Sequence, residues 1–266
     1  MMDIPVGIAT TISGGVVGLV LGLVGGGGSI LAVPLLVYAV GVTSPHVAIG
    51  TSAIAVSMSA IGNVVGHARA GNVKWRCAAV FASAGVFGAV AGSVVAKALD
   101  GQKLLVLFGA LMIIVGIAML RIRSTAGNPK VRLSMTTARE LLPLLLSIGF
   151  AVGLLSGFFG IGGGFLIVPG LMFATGMPLT MAIGTSLVAV AAFGAATAAS
   201  YAVSGMIDWP MASLFVLGGL VGGIAGVAFG KALAARKRAL NLTFAGLVIL
   251  VGLYVVVRGT VPLFAA

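Results

Sequence analysis

One short motif occurs twice in this chain, and both copies interrupt long apolar stretches. Residues 25–34 read G-G-G-G-S-I-L-A-V-P, and residues 160–169 read G-I-G-G-G-F-L-I-V-P. The same five residues, A-I-G-T-S, follow each copy, at 48–52 and at 182–186. Each consecutive glycine weakens a helix by roughly 1 kcal/mol relative to alanine, so a cluster of them favours a break. The chain is therefore expected to fold as two related units, each with a helix break at the same place.

The duplication extends through the whole chain. An offset of 135 residues pairs Gly14 with Gly149, and an offset of 134 residues pairs Trp75 with Trp209. Many glycines, a proline and a tryptophan in one shared order indicate an internal repeat. The predicted domains are a first repeat over 1–120, a basic linker over 121–140 and a second repeat over 141–266.

The composition is typical of an integral membrane protein. Hydrophobic residues make up 60% of the chain, charged residues make up 7%, and the mean hydropathy is +1.26. A soluble domain carries about 25% charged residues. Apolar segments recur over the full length, so we expect neither a separate soluble domain nor a removable signal peptide. The 15 basic residues against 4 acidic ones are expected to orient membrane segments rather than to bind nucleic acid.

Each half is expected to contain five apolar segments, which makes the predicted fold class an all-α integral membrane protein. Most segments approach the ~20 residues that cross a bilayer, whereas the second segment of each half has only about twelve. These short segments are half-helices, steeply packed short helices or arms of re-entrant hairpins, and hydropathy alone does not separate the three. The ten segments cover residues 6–23, 29–40, 47–65, 77–96, 104–120, 141–158, 165–176, 181–203, 211–230 and 240–257.

Loop charges predict how the two repeats are oriented. Twelve of the fifteen basic residues fall in the loop regions 66–76, 121–140 and 231–238, which share one side if each half has five segments. Basic loops mark the cytoplasmic side of a membrane protein. The sequence therefore predicts two inverted-topology repeats, with glycine-broken short or re-entrant helices near the N-terminus of each, and both chain termini outside.

The glycine clusters are candidate anion-binding sites. A helix that breaks at membrane depth leaves N–H groups that protein or a water-filled cavity must satisfy. At the start of the next half-helix these groups carry partial positive charge, which suits an anion. A tight interhelical turn at the membrane surface is the alternative. The predicted substrate-binding residues of the clusters are Gly26, Gly27, Gly28, Ser29, Gly162, Gly163 and Gly164.

The other glycines have the spacing of packing ridges. Gly14, Gly18 and Gly22 recur every fourth residue, and the second half repeats the pattern from Gly149. Small residues at this spacing let membrane helices approach closely. We therefore expect these runs to pack helices and not to bind a ligand.

The repeated A-I-G-T-S motif supplies four hydroxyl residues as further candidate ligands, namely Thr51, Ser52, Thr185 and Ser186. If a pseudo-twofold axis relates the halves, all four are expected to converge on one midplane cavity. The alternative is that each hydroxyl bonds back to its own helix. Weaker candidates further along the chain are Asn63, His67 and Arg69.

Catalytic chemistry is not indicated. No acidic residue lies well inside an apolar segment, which argues against a carboxylate proton relay. Ser156 lies in G-L-L-S-G, but His46 and His67 are on other segments, and the sequence has no H-E-x-x-H motif. The single Cys77 offers neither an internal disulfide nor a thiol cluster. We therefore expect no enzyme, no cofactor and no metal site.

The paired glycine motifs, each followed by A-I-G-T-S, resemble the TauE/SafE sulfite exporter family of membrane permeases (TSUP). The resemblance covers the chain from Gly14 to Val257, and one departure is Ser29, where the second half has Gly164. It implies a prokaryotic inner-membrane protein that exports sulfite, sulfoacetate or related organosulfonates. The implied partners are a small organosulfur anion and the lipid bilayer, and a homo-oligomer stays open.

The functional prediction is a secondary transporter that exports small sulfur-containing anions by alternating access. An anion that leaves a cell with a negative interior gains about 2.3 kcal/mol per charge per 100 mV, so export does not require a coupling ion. The alternatives are a passive anion channel and a membrane scaffold without transport. Under the leading interpretation, replacing Thr51 and Thr185 by valine weakens transport and leaves folding intact.

Overall fold

The computed structural model describes residues 4–121, 137–162, 164–232 and 237–264, and every regular element in these ranges is helical. Eight helices in them are long and apolar enough to cross a membrane, so the prediction of an all-helical membrane protein is confirmed. The α-helices are α1 (Ile4–Val24), α2 (Ala32–Pro34), α3 (Pro45–Arg69), α4 (Trp75–Ala98), α5 (Gly101–Arg121), α6 (Ala138–Phe159), α7 (Gly164–Thr175), α8 (Leu179–Val203), α9 (Trp209–Ala232) and α10 (Lys237–Phe264).

Two short apolar segments lie among the long helices. The first consists of a 3-10 helix over Gly25–Leu31, the single turn α2 and a π-helix over Leu35–Val40. The second is α7, which contains Pro169. Both lie where the sequence predicts a segment too short to span a bilayer as one straight helix.

Acidic side chains cap two of the long helices. Asp100 Oδ1 accepts hydrogen bonds from the backbone N–H groups of Gln102 and Lys103, at 2.9 and 3.2 Å, where α5 begins. Asp208 Oδ1 accepts one from the N–H of Met211 at 3.0 Å, where α9 begins. A carboxylate at a helix start satisfies N–H groups that have no partner within the helix. These acids therefore stabilise helix ends and leave the interior neutral.

Glycine ridges pack the first helix of each half against the fourth-segment helix of the other half. Along α1, a Cβ added at Gly14, Gly18 or Gly22 would overlap the backbone of α9. The ridge of α6 that begins at Gly149 meets α4 in the same way. Such close approach is a main source of stability between helices in lipid. The prediction that these glycine runs serve packing is confirmed.

Across the centre of the bundle, α3 and α8 pack antiparallel. Ser57 Oγ donates a hydrogen bond to the carbonyl of Ala191 at 2.8 Å, and Gly194 lies against the carbonyl of Ala53. Helices α5 and α10 also pack against each other in antiparallel directions. Each of these four helices thus contacts its counterpart in the other half.

The directions of the long helices show to which end of the bundle each short segment leads the chain. Helices α1 and α3 both run parallel to α9, whereas α6 and α8 both run parallel to α4. The segment between α1 and α3 therefore returns the chain to the end where α1 began, and α7 does the same between α6 and α8. We call the two ends of the bundle the Pro45 end and the Arg69 end, after the ends of α3, which are about 36 Å apart.

Candidate functional site

The second glycine cluster breaks the chain inside the bundle. Helix α6 ends at Phe159, and Gly160 and Gly162 follow with φ values of 67° and 68°, which favour glycine over other residues. The carbonyl of Gly160 lies 3.5 Å from Ser52 Oγ. Because Ser52 is about 10 Å along α3 from the Pro45 end and fully buried, this break is not a turn at the surface.

A buried hydroxyl group without a partner lies beside this break. Ser156 is in the last turn of α6, and its Oγ has no hydrogen-bond partner among the described residues. Helix α7 begins at Gly164, whereas Gly163 lies outside the described residues. A bound anion can accept hydrogen bonds both from such an unsatisfied hydroxyl and from the N–H groups of a nearby helix start.

The first glycine cluster has a different local structure. Gly26, Gly27, Gly28 and Ser29 all belong to the 3-10 helix that follows α1. Gly28 packs so closely that a Cβ there would overlap the backbone N of Leu21, and Ser29 is fully buried. This 3-10 helix leads into only one turn of α-helix. The two clusters therefore do not present equivalent helix starts.

Thr51 and Thr185 each hold a loop of the opposite half. Thr51 Oγ1 accepts a hydrogen bond from the backbone N–H of Asp208 at 3.1 Å, and Thr185 Oγ1 accepts one from Lys74 at 3.0 Å. Both threonines are fully buried. A backbone N–H inside a protein needs a partner, and these hydroxyls supply it. The two threonines therefore have a structural role that the sequence alone did not reveal.

The four repeat hydroxyls do not converge on one cavity. Both threonines precede the Ser57–Ala191 contact by six residues, and antiparallel packing places them toward opposite ends, about 18 Å apart along the helix axes. Ser52 Oγ donates to the carbonyl of Ile49 at 3.0 Å, and Ser186 Oγ donates to that of Ile183 at 2.7 Å. Both serines thus show the back-bonding alternative, and each half keeps its own hydroxyl pair.

An open cleft lies between α3 and α9 toward the Arg69 end. It encloses about 340 Å³, with Ser59 and Asn63 as its buried polar lining and the exposed Arg69 where α3 ends. Leu220 and Val227 of α9 form part of the opposite wall. Two of the three weaker sequence candidates, Asn63 and Arg69, therefore line one cavity. The third, His67, is on the same helix but is not among the residues that line this cleft.

The equivalent place between α4 and α8 is filled by an aromatic ring. The 134-residue offset pairs Ser59 with Phe193 and Gly219 with Gly85. A Cβ at Gly85 would overlap the ring of Phe193, just as a Cβ at Gly219 would overlap Ser59 Oγ. Phe193 is fully buried and stacks on Phe81, with 6.1 Å between the ring centroids. The same glycine position thus admits a hydroxyl in one cleft and a phenyl ring in the other.

A cation and serine side chains join α4 to α8 at the Pro45 end. Lys97 Nζ donates to the carbonyl and the hydroxyl of Ser200, both at 3.0 Å, and to Ser204 Oγ at 2.9 Å. Ser93 Oγ donates to Ser200 Oγ at 2.8 Å, and Lys97 Nζ lies 5.7 Å from the centroid of the Tyr201 ring. We call these residues the Lys97 cluster. It ties together the ends of the two helices that enclose Phe193.

Sequence reasoning missed two residues of the filled cleft, Phe193 and Tyr201. Thr197 Oγ1 and Tyr201 Oη are buried and have no hydrogen-bond partner in the part of the chain that the structure describes. The 134-residue offset pairs them with Asn63 and His67. Comparison of the repeats position by position, beyond the shared motifs, was the signal that identifies these side chains.

The polar side chains of the interior are uncharged. Its buried polar side chains are hydroxyls and one amide, and no charged residue is fully buried among the described residues. The described ranges also hold no group of three or more His, Cys, Asp or Glu side chains that fits a metal ion. The chemistry of this interior is therefore hydrogen bonding by neutral groups, with Arg69 as the charge nearest to the open cleft.

Eight membrane-length helices around an uncharged interior that carries scattered hydroxyl groups, with a cleft near the Arg69 end, are the architecture of a polytopic membrane transporter. A sequence model of the family described as "Sulfite exporter TauE/SafE" matches residues 10–255. The chain belongs to this family of membrane transporters, as its repeated motifs predicted.

Relatives from distant prokaryotes agree with this assignment. A "Probable membrane transporter protein" of Xylella fastidiosa (strain Temecula1) is 50% identical over 258 residues, which cover 97% of this chain and 98% of the relative. "Probable membrane transporter protein YunE" of Bacillus subtilis is 27% identical over 95% of this chain and 98% of its own length. A "Probable membrane transporter protein" of Methanocaldococcus jannaschii, MJ0441, is 31% identical over 66% of this chain and 65% of its own. No solved structure matches the chain at a significant level.

Proposed function

We propose that this transporter exports small sulfur-containing anions, such as sulfite, sulfoacetate or related organosulfonates, across the prokaryotic inner membrane by alternating access. The observation that carries the proposal is the match to a family described by sulfite export, which spans residues 10–255. The neutral interior supports it, because no carboxylate is buried among the described residues to repel an anion.

In this proposal the Arg69 end faces the cytoplasm, because Arg69, Lys74 and Arg76 lie there. The two halves are inverted-topology repeats with both termini outside. The antiparallel contacts of α3 with α8 and of α5 with α10 support the inversion, since each helix packs against its own counterpart. Export then moves the anion from the Arg69 end toward the Pro45 end.

The anion enters through the α3–α9 cleft. Arg69 attracts it, and Asn63 and Ser59 offer an amide and a hydroxyl donor further inside. The second glycine cluster is the next position along the proposed route: the carbonyl of Gly160 lies 3.5 Å from Ser52 Oγ, and Gly162 packs against Val56 one turn further along α3. Phe193 fills the α4–α8 cleft, so this conformation is the cytoplasm-open state of the proposed cycle.

Flux measurements on purified protein in liposomes test the substrate class. Sulfite, sulfate, thiosulfate, sulfoacetate and taurine are offered separately, and counterflow of labelled sulfite is recorded. We expect saturable flux and counterflow for sulfite or a sulfonate. Flux that rises linearly with concentration and shows no counterflow identifies a passive channel, and absence of flux for the whole panel contradicts the proposal.

A charge-neutral variant tests the route. Arg69→Gln removes the cation nearest to the cleft, and loss of a charge-assisted hydrogen bond is expected to raise the half-saturating concentration about tenfold. Arg76→Gln is the matched control, because it removes one positive charge from the same end without touching the cleft. Equal effects of the two substitutions would show that only the overall charge of this end matters.

A further inference from the structure

We propose that a second pocket, at the Pro45 end, binds a small oxyanion. The pocket encloses about 220 Å³, and its polar lining is Tyr38, Thr43, Gln102 and Arg258. These side chains come from the π-helix, the connection to α3, the start of α5 and the last part of α10. Pro45 also lines the pocket, so this site and the α3–α9 cleft lie at opposite ends of α3.

Arg258 has hydrogen-bonding capacity to spare at this pocket. Its Nε donates to Tyr254 Oη at 3.3 Å, and its guanidinium carbon lies 5.8 Å from the centroid of the Tyr254 ring. A guanidinium carries five N–H donors in a planar fork, and the contact with Tyr254 uses one of them. Among the described residues no further hydrogen bond engages the guanidinium, so its Nη groups are available to the pocket, and their geometry matches two oxygens of one oxyanion.

The remaining polar lining consists of groups that can donate. Tyr38 and Thr43 carry hydroxyls, and Gln102 carries an amide. The Tyr38 ring is held edge-on against Tyr254, with 5.2 Å between centroids and 77° between planes. Among the described residues no carboxylate lines the pocket, and Asp100, two residues before Gln102, has its Oδ1 engaged by the N–H groups that begin α5. A cation with neutral donors and no lining carboxylate selects an anion.

The size of the pocket limits the ligand class. One water occupies about 30 Å³ of liquid volume, so 220 Å³ holds an anion of a few heavy atoms with part of its hydration shell. Sulfite, sulfate and phosphate have this size. The phosphodiester of a lipid headgroup presents the same oxyanion chemistry, and the experiment distinguishes the two sources. The inference does not depend on which anion the α3–α9 cleft carries.

Fluorine NMR measures anion binding at this pocket independently of transport. The chain has three tyrosines, so 3-fluorotyrosine gives three resonances, from Tyr38 and Tyr254 at the pocket and from Tyr201 in the core. Each is assigned by its Tyr→Phe variant. Purified protein in lipid-free maltoside micelles is titrated with sulfite, with phosphate, with short-chain phosphatidylglycerol, and with chloride at matched ionic strength. We expect sulfite and phosphate to shift the Tyr38 and Tyr254 resonances saturably, with Tyr201 as the internal reference.

Two variants complete the test. Arg258→Gln is expected to raise the midpoint of the shift at least about tenfold, because the charge-assisted bonds are lost. Lys103→Gln, a neighbouring cation outside the pocket lining, is expected to leave the midpoint unchanged. A response to phosphatidylglycerol alone supports the oxyanion chemistry and assigns it to lipid. An equal response to chloride, an unchanged midpoint in Arg258→Gln or no shift with any oxyanion overturns the proposal, whether or not the protein transports sulfite.

Discussion

The α3–α9 cleft and the α4–α8 cleft are formed by equivalent helices, and they differ in what occupies one position. In the first, Ser59 lies in the space that Gly219 leaves, and the cleft stays open over about 340 Å³ toward Arg69. In the second, Phe193 lies in the space that Gly85 leaves and stacks on Phe81. The helix framework is thus shared by the two halves, whereas side chains at equivalent positions fill one cleft and leave the other open.

The two clefts also differ in packing energy. Burying a phenylalanine side chain contributes about 1.5–3 kcal/mol, and an aromatic pair adds about 0.5–1.5 kcal/mol. The α4–α8 cleft gains both terms, together with the Lys97 cluster at its end. The α3–α9 cleft has Ser59 and Phe215 in the places of Phe193 and Phe81, so it gains no aromatic pair there. The packing of the filled cleft therefore contributes stability that the open cleft lacks.

The largest expected effect comes from removing the ring that fills the second cleft. Phe193→Ala is expected to lower the free energy of unfolding by about 3–5 kcal/mol, because it leaves a cavity against Phe81. Chemical unfolding in mixed micelles measures the loss. Phe87→Ala is the matched control, since Phe87 is 73% exposed toward the membrane side of α4 and loses little packing. Equal losses in the two variants would contradict the assignment of Phe193 as the filling group.

The converse substitution fills the open cleft. Ser59→Phe places a ring opposite Gly219, as Phe193 lies opposite Gly85, and is expected to reduce flux roughly 100-fold, which corresponds to about 2.7 kcal/mol. Flux into liposomes measures it. Met58→Phe adds a ring at the adjacent position, which is 47% exposed, and serves as the control. Full flux in Ser59→Phe would show that the substrate does not use this cleft.

The sequence predicted much of the framework because its signals are local. Apolar length identified the eight long helices, and glycine spacing identified the packing ridges, as confirmed along α1 and α6. Partner choice was not predictable, since a ridge such as Gly14, Gly18 and Gly22 specifies close approach but not which helix approaches. The positions of the breaks were predicted, yet the local structure of each break was not, because the 3-10 helix of the first depends on packing against α1.

The candidate site was predicted less well, for a physical reason that Thr51 illustrates. Its hydroxyl meets the N–H of Asp208, which lies 157 residues away in the chain. A hydroxyl in a sequence specifies a donor and acceptor but not its partner. Asn63 and Arg69, which line the α3–α9 cleft, were candidates by residue type, because an amide is uncommon in an apolar segment and a cation follows the end of that segment. Phe193 was not found, because a phenylalanine in an apolar helix resembles ordinary core until its repeat counterpart is compared.

A smaller effect is expected at the threonines, where the two halves behave alike. Thr51→Val and Thr185→Val each leave a buried loop N–H without its acceptor, which is expected to cost about 1–2 kcal/mol of unfolding free energy. This revises the expectation that folding stays intact. Ser52→Ala and Ser186→Ala are controls, because those hydroxyls bond back to their own helices. Valine variants that fold as stably as the alanine variants but lose transport would return the threonines to the substrate site.

The smallest expected effect comes from the Lys97 cluster at the end of the α4–α8 cleft. Lys97→Gln removes an ammonium that holds Ser200 and Ser204, but the side chain is only half-buried, so the loss is expected to stay below about 1 kcal/mol. Lys103→Gln removes an exposed cation from the same end and is the matched control. Thermal unfolding in maltoside micelles compares the two. If the Lys97 cluster also holds the α4–α8 cleft shut, Lys97→Gln destabilises the Phe193→Ala variant less than it destabilises the wild-type chain. A cleft that has already lost its ring no longer needs the hydrogen bonds of Lys97. If the losses of stability from the two substitutions simply add, the Lys97 cluster does not hold the cleft shut.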